Sequence, residues 1–108
     1  MTKNKKSVRV GIIGAGLMGR RRAAALTAVG GSRLVAVADV NFKKALALAE
    51  KYGAEAEKSW RALIKRNDVS ALIISVPNKF LAPIAIGALK CGKHLLCEKP
   101  FGRNIAES

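Results

Sequence analysis

The chain has 108 residues, half of them hydrophobic, which suits one domain with a modest core and excludes a disordered polymer. No apolar run is long enough to span a membrane, and residues 1–7 read as a loose, polar, basic tail with no apolar stretch behind it; neither a membrane anchor nor a secretory signal is expected, and the expected compartment is the cytoplasm. Twenty Lys and Arg against seven Asp and Glu give a net charge of +13, which raises nucleic acid as a partner. The basic residues are scattered over element ends, however, with no basic stripe interleaved with aromatics, so a solvated basic surface is the simpler account and nucleic acid is not expected. Cys91, Cys97 and the single histidine, His94, form no ligand pattern, so no zinc is expected and the cysteines read as free thiols.

The first element is a strand over about Val8–Ile13, a short run rich in β-branched residues. It runs into Gly14-Ala15-Gly16-Leu17-Met18-Gly19, which has the G-x-G-x-x-G spacing, and then into an alanine-rich helix from about Leu17 to Val29. The spacing has a steric meaning. Gly14 permits the tight turn, Gly16 keeps side chains away from a pyrophosphate, and Gly19 lets the helix lie close on the strand. The helix amino terminus, with its unpaired N–H groups, would face the phosphates.

Gly30-Gly31 stops that helix. A second strand covers Arg33–Ala38, and Asp39 at its end stands twenty residues after Gly19, where a carboxylate accepts hydrogen bonds from adenosine ribose hydroxyls. Asn41 is the expected cap of a second helix with Ala45, Leu46, Leu48 and Ala49 inward and Gly53 as its stop. Ala54–Ala56 is read as a very short third strand, and Ser59 as the cap of a short helix through Arg66 that buries Leu63 with Trp60 or Ile64. Asn67-Asp68 marks a turn, Val69–Val76 a central fourth strand, and Pro77 its end. A helix over about Phe80–Cys91 contains Pro83, so it is expected to begin near Phe80 or Leu81, or to bend. Gly92 caps it, Lys93–Cys97 is a fifth strand, and Glu98-Lys99-Pro100 follows.

Strands alternating with helices over short links imply an α/β fold, a doubly wound parallel sheet of about five strands in the order 3-2-1-4-5. Ligand then sits at the carboxyl ends of strands one and four. The loops there carry Gly14, Gly16, Leu17, Met18, Gly19, Asp39, Val76, Pro77, Asn78, Glu98, Lys99 and Pro100, which are the candidate cofactor-binding residues.

The blocks Gly11–Gly19, Ala38-Asp39, Val76-Pro77-Asn78 and Gly92-Lys93-His94-Leu95-Leu96-Cys97-Glu98-Lys99-Pro100 together resemble the amino-terminal NAD(P)-binding Rossmann domain of the glucose–fructose oxidoreductase / inositol dehydrogenase (Gfo/Idh/MocA) family. The resemblance runs from Val8 to Pro100. It implies hydride transfer between a nicotinamide cofactor and a sugar, cyclitol or related alcohol. It also implies a catalytic Lys99 beside the nicotinamide and the substrate hydroxyl, a Glu98 that contacts the cofactor or orients Lys99, and a cis Lys99–Pro100 bond. Asp39 favours NAD over NADP, although Lys43, Lys44 or Arg20 would partly offset its repulsion of a 2′-phosphate.

Three departures stand against the family pattern. Leu81 occupies a place where the family often has histidine, and so does Arg22 in the first helix. The domain is expected over residues 8–100, with 101–108 as the start of a connection to a carboxyl-terminal domain that carries the substrate pocket and lies outside this sequence. The 108 residues alone are therefore expected to be inactive. With strand five left at an edge beside Leu95 and Leu96, self-association is expected, or a longer parent chain. A non-catalytic dinucleotide sensor or scaffold is the second reading, and a basic nucleic-acid-binding protein the third.

Overall fold

The computed structural model describes residues 8–28 and 31–96. Its elements are β1 (Val8–Ile13), α1 (Leu17–Ala28), β2 (Ser32–Ala38), α2 (Phe42–Tyr52), β3 (Glu55–Glu57), α3 (Trp60–Ile64), β4 (Ala71–Ile74), α4 (Asn78–Lys90) and β5 (His94–Leu95). All strand pairs are parallel, in the order β3-β2-β1-β4-β5 expected from the sequence.

The sheet separates two apolar clusters. Val10 and Ile12 of β1 join Ala23 of α1, Leu48 of α2 and Ile73 on one side. Ile13 joins Leu63 and Ile64 of α3, Leu72, and Ile84 and Ala88 of α4 on the other. A central strand covered on both faces has no polar face to alternate with, which is why Val10–Ile13 is continuously buried. Gly11 leaves room for the α3 side, where a Cβ would stand 2.7 Å from Leu63 Cδ2 and press the leucine aside.

β2 carries an irregularity that its sequence does not announce. Val10 pairs with Leu34 but Gly11 pairs with Ala36, so Val35 is the unmatched residue of a bulge. Leu34 and Ala36, which an unbroken strand would put on one face, consequently belong to opposite clusters. The bulge lets both large and small residues of β2 find a core.

Local signals place the helix ends. The Asn41 side chain accepts from the Lys43 N–H, the Ser59 hydroxyl accepts from the Ala62 N–H, and Gly53 closes α2 in the left-handed region at φ 71°. Tertiary packing shifts other boundaries. β3 lies at Glu55–Glu57, one residue later than expected, and α3 ends at Ile64 rather than Arg66. β4 is only Ala71–Ile74, because its partners on β1 are Val10–Ile13; Val69 is buried ahead of the strand and Val76 lies in the loop beyond it. Leu46, expected inward, is 41% exposed, since the sheet covers only the Ala45-Leu48-Ala49 stripe of α2. α4 begins at Asn78, two residues earlier than expected, so Pro83 sits in its second turn on the exposed side rather than in the first. Cys97, the expected last residue of strand five, lies outside the described residues.

Candidate functional site

The carboxyl ends of β1, β2 and β4 are tied together around the glycine bend. The Ile13 carbonyl accepts from the Ser75 N–H at 2.7 Å, and the Gly14 N–H donates to the Ala38 carbonyl at 2.8 Å. Gly14 adopts φ +105°, and a Cβ on it would fall on the Ser75 carbonyl oxygen. A Cβ on Gly19 would fall on the Gly14 carbonyl oxygen, so α1 rests directly on the bend. Gly16 differs from both. A Cβ there would meet nothing within 4 Å, so its missing side chain leaves open space at the surface.

α1 closes its first turn with a bond from the Arg20 N–H to the Gly16 carbonyl at 2.9 Å. The N–H groups of Leu17, Met18 and Gly19 precede that bond and have no carbonyl of the helix to receive them. They sit at the positive end of the helix dipole, beside the open space over Gly16.

Asp39 completes the rim. One carboxylate oxygen accepts from the Ala15 N–H at 2.6 Å, and the other accepts from the Asn41 N–H at 2.7 Å. The carboxylate therefore turns toward the glycine bend. Each oxygen can accept a further hydrogen bond beyond these two.

Three clefts radiate from this rim. One of ≈ 540 Å³ runs from Gly14 and Gly16 past Asp39 and Val40 to Trp60, Arg61, Pro77 and Phe80. A second, of ≈ 620 Å³, runs from Gly16, Leu17 and Met18 past Arg22, Asn78 and Leu81 to Leu95 and Leu96. Val76 and Pro77 line both. A third, of ≈ 380 Å³, lies between α1 and α2, with Arg20, Lys44, Lys51 and Tyr52 around Ala15–Leu17.

The fold thus gathers Gly14, Gly16, Leu17, Met18, Asp39, Val76, Pro77 and Asn78 on one face, while Gly19 lies buried beneath it. Glu98, Lys99 and Pro100, with the expected cis bond, lie outside the described residues. Leu81 and Arg22, the two departures from the family pattern, both line the second cleft. Val40, Trp60, Arg61 and Phe80 were not singled out from the sequence as site residues. Their only signal is position: Val40 follows the end of β2, and the other three lie in the first turns of α3 and α4.

A separate charged cluster stands away from the clefts. Arg66 donates to Asp68 at 2.7 and 2.8 Å, to Glu57 at 2.7 Å and to Glu55 at 2.8 Å. The Lys93 ammonium donates to the Arg66 and Val69 carbonyls at 2.6 and 2.5 Å. The hydrogen bonds from Arg66 hold the Asp68 carboxyl below its ordinary pKa against the opposing effect of burial, and the Asp68 bond in turn raises that of Arg66. None of these residues lines the three clefts. Among the described residues no group of three or more His, Cys, Asp or Glu could hold a metal ion, and no helix is long and apolar enough to cross a membrane.

Comparison with known proteins agrees with this geometry. The profile of an oxidoreductase family with an NAD-binding Rossmann fold, GFO/IDH/MocA, matches residues 8–108. The chain belongs to this family. Within it, an inositol 2-dehydrogenase of Rubrobacter xylanophilus is 40% identical over 102 residues, covering 94% of this chain and 29% of the relative. A 3-ketoreductase of Actinomadura kijaniata, solved with NADP and TDP-benzene, superposes with a TM-score of 0.82 at 35% identity, over 89% of this chain and 30% of that one. The myo-inositol dehydrogenase of Lactobacillus casei, solved with NAD(H) and myo-inositol, gives 0.81 at 26% identity, over 94% and 32%. The 108 residues thus span under a third of the length of these GFO/IDH/MocA proteins, and correspond to their NAD-binding domain.

Proposed function

We propose that this chain is the cofactor-binding part of an NAD(P)-dependent oxidoreductase that oxidises or reduces a polyol, sugar or related alcohol. The observation that supports it is the meeting of an open, side-chain-free position at Gly16 with the Asp39 carboxylate on one cleft. That donor set fits a dinucleotide. The N–H groups of Leu17, Met18 and Gly19 would hold its diphosphate, and the free acceptor sites of Asp39 would take the adenosine ribose hydroxyls. An ionised carboxylate repels a 2′-phosphate, so NAD is preferred over NADP.

A bound nicotinamide supplies the hydride acceptor or donor. The residues of this chain supply position and proton control. The second cleft is lined by apolar side chains, including Leu17, Met18, Leu81 and Leu95, and would keep water from a ring seated there. Lys99, by its place in Glu98-Lys99-Pro100, holds or moves the proton at the substrate oxygen, and Glu98 contacts the cofactor or orients Lys99.

Turnover of a polyol needs residues beyond the 108, since the relatives with named substrates are more than three times as long as the part matched here. Cofactor binding does not. Titration of the chain with NADH, followed by fluorescence or thermal shift, is expected to saturate, and no binding at millimolar NADH would end the proposal. Self-association belongs to the same reading: among the described strands β5 pairs only with β4, and edge strands invite pairing with a second strand. Sedimentation of the chain over a range of concentrations tests it, and a monomer throughout would refute it.

A further inference from the structure

We infer that Arg61, packed over the Trp60 ring, is the surface on which the adenine ring of the cofactor stacks. The inference rests on the cofactor reading above and carries it to a part of the ligand that neither the glycine bend nor Asp39 touches.

Asp39 fixes where an adenosine ribose can sit. Of the three clefts, only that of ≈ 540 Å³ is lined by Asp39, so the base attached to that ribose enters this one. Beyond Asp39 and Val40 it offers Trp60, Arg61, Pro77 and Phe80. A purine needs planar or apolar surfaces there, and Pro77 and the half-exposed Phe80 provide one wall.

The other wall is built in two layers. The six-membered ring of Trp60 lies against Gly87, where an added Cβ would come within 3.1 Å of it. The Arg61 guanidinium lies over the Trp60 ring, 4.5 Å from its centroid. Ser59 caps α3 by accepting from the Ala62 N–H at 3.2 Å, which fixes the turn that carries both side chains. Trp60, half-buried, lines the cleft together with the exposed Arg61, and the guanidinium lying over its ring carries the planar surface outward. A guanidinium stacks on a π-system through its plane and its diffuse charge, whereas an ammonium has charge without a plane. Trp60 is the positioning residue, and Arg61 makes the contact.

The test compares ligands with and without adenosine. Arg61→Ala is expected to weaken ADP-ribose and NADH binding about 3- to 10-fold, the scale of one cation–π contact, and to leave reduced nicotinamide mononucleotide unchanged. Arg61→Lys is expected to lose as much as Arg61→Ala, and Lys65→Ala, which removes the same charge from a neighbouring exposed position, is expected to lose nothing. Circular dichroism melts of each variant confirm the fold. If wild-type protein binds NADH and ADP-ribose but Arg61→Ala binds them equally well, or if Arg61→Lys matches the wild type, the Arg61 assignment is overturned while the cofactor reading stands. If wild-type protein binds neither ligand, the cofactor reading fails and takes this inference with it.

Discussion

The Asp39 carboxylate and the Ala15 backbone N–H, 24 residues apart in sequence, share a hydrogen bond of 2.6 Å. It links the end of β2 to the glycine bend after β1, so one side chain both shapes the bend and stands beside the ligand position. Fold and cofactor preference are consequently coupled at this residue.

Asp39→Ala removes an ionised acceptor from the Ala15 and Asn41 N–H groups. Bonds to charged groups are worth about 1.5–3 kcal/mol, so the melting temperature should fall measurably. NADH affinity should fall about tenfold or more, and NADPH affinity should fall less or rise, because the repulsion of a 2′-phosphate is gone. Paired NADH and NADPH titrations measure the ratio; a ratio equal to that of the wild type would refute the role of Asp39 in cofactor choice.

The glycines of the bend should separate into two kinds. Gly19→Ala places a methyl on the Gly14 carbonyl oxygen and is expected to destabilise the fold by about 3 kcal/mol or more. Gly16→Ala meets open space, so its melting temperature should stay close to wild type while NADH binding is lost. Thermal melts alongside NADH titrations distinguish them, and equal loss of stability in both variants would contradict the geometry.

Acid should weaken the Arg66 cluster in a defined direction. The folded-state pKa of Asp68 lies below its ordinary value of 3.8, held there by Arg66. Its contribution is therefore complete above pH ~4 and is lost as pH falls through the lower folded value. Asp68→Asn should flatten this part of the acid limb in melts from pH 6 down to pH 2, and an unchanged limb would show that the pair does not contribute. Arg66→Ala leaves Glu55, Glu57 and Asp68 facing one another and should cost about 1–3 kcal/mol at pH 7, with Glu55, 73% exposed, contributing least.

Pro83 lies in the second turn of α4, where proline withholds an N–H from the Lys79 carbonyl. Pro83→Ala should therefore stabilise the protein by about 1 kcal/mol or more, since alanine is the better residue in a helix interior. Urea unfolding with an unchanged m-value is the appropriate measurement.

Much of this protein is fixed by short-range chemistry and can be read directly from the chain. The spacing of Gly14, Gly16 and Gly19, the caps at Asn41 and Ser59 and the left-handed Gly53 concern neighbouring backbone atoms, so a few residues determine each. The strand order follows because short alternating links leave little choice of winding. Other features depend on partners distant in sequence. Val69–Val76 is apolar apart from Ser70 and Ser75, yet β4 spans only the four residues that β1 pairs. Leu46 is exposed because only the Ala45-Leu48-Ala49 stripe of α2 is covered, and Val35 is left unmatched by the register shift between β1 and β2. Arg66 collects Glu55, Glu57 and Asp68, and Arg61 and Asp39 come to line one cleft, only after the sheet has formed. Residue type and spacing determined which backbone shapes the chain can adopt; packing alone decided which side chains face one another, since that depends on the space the other elements leave.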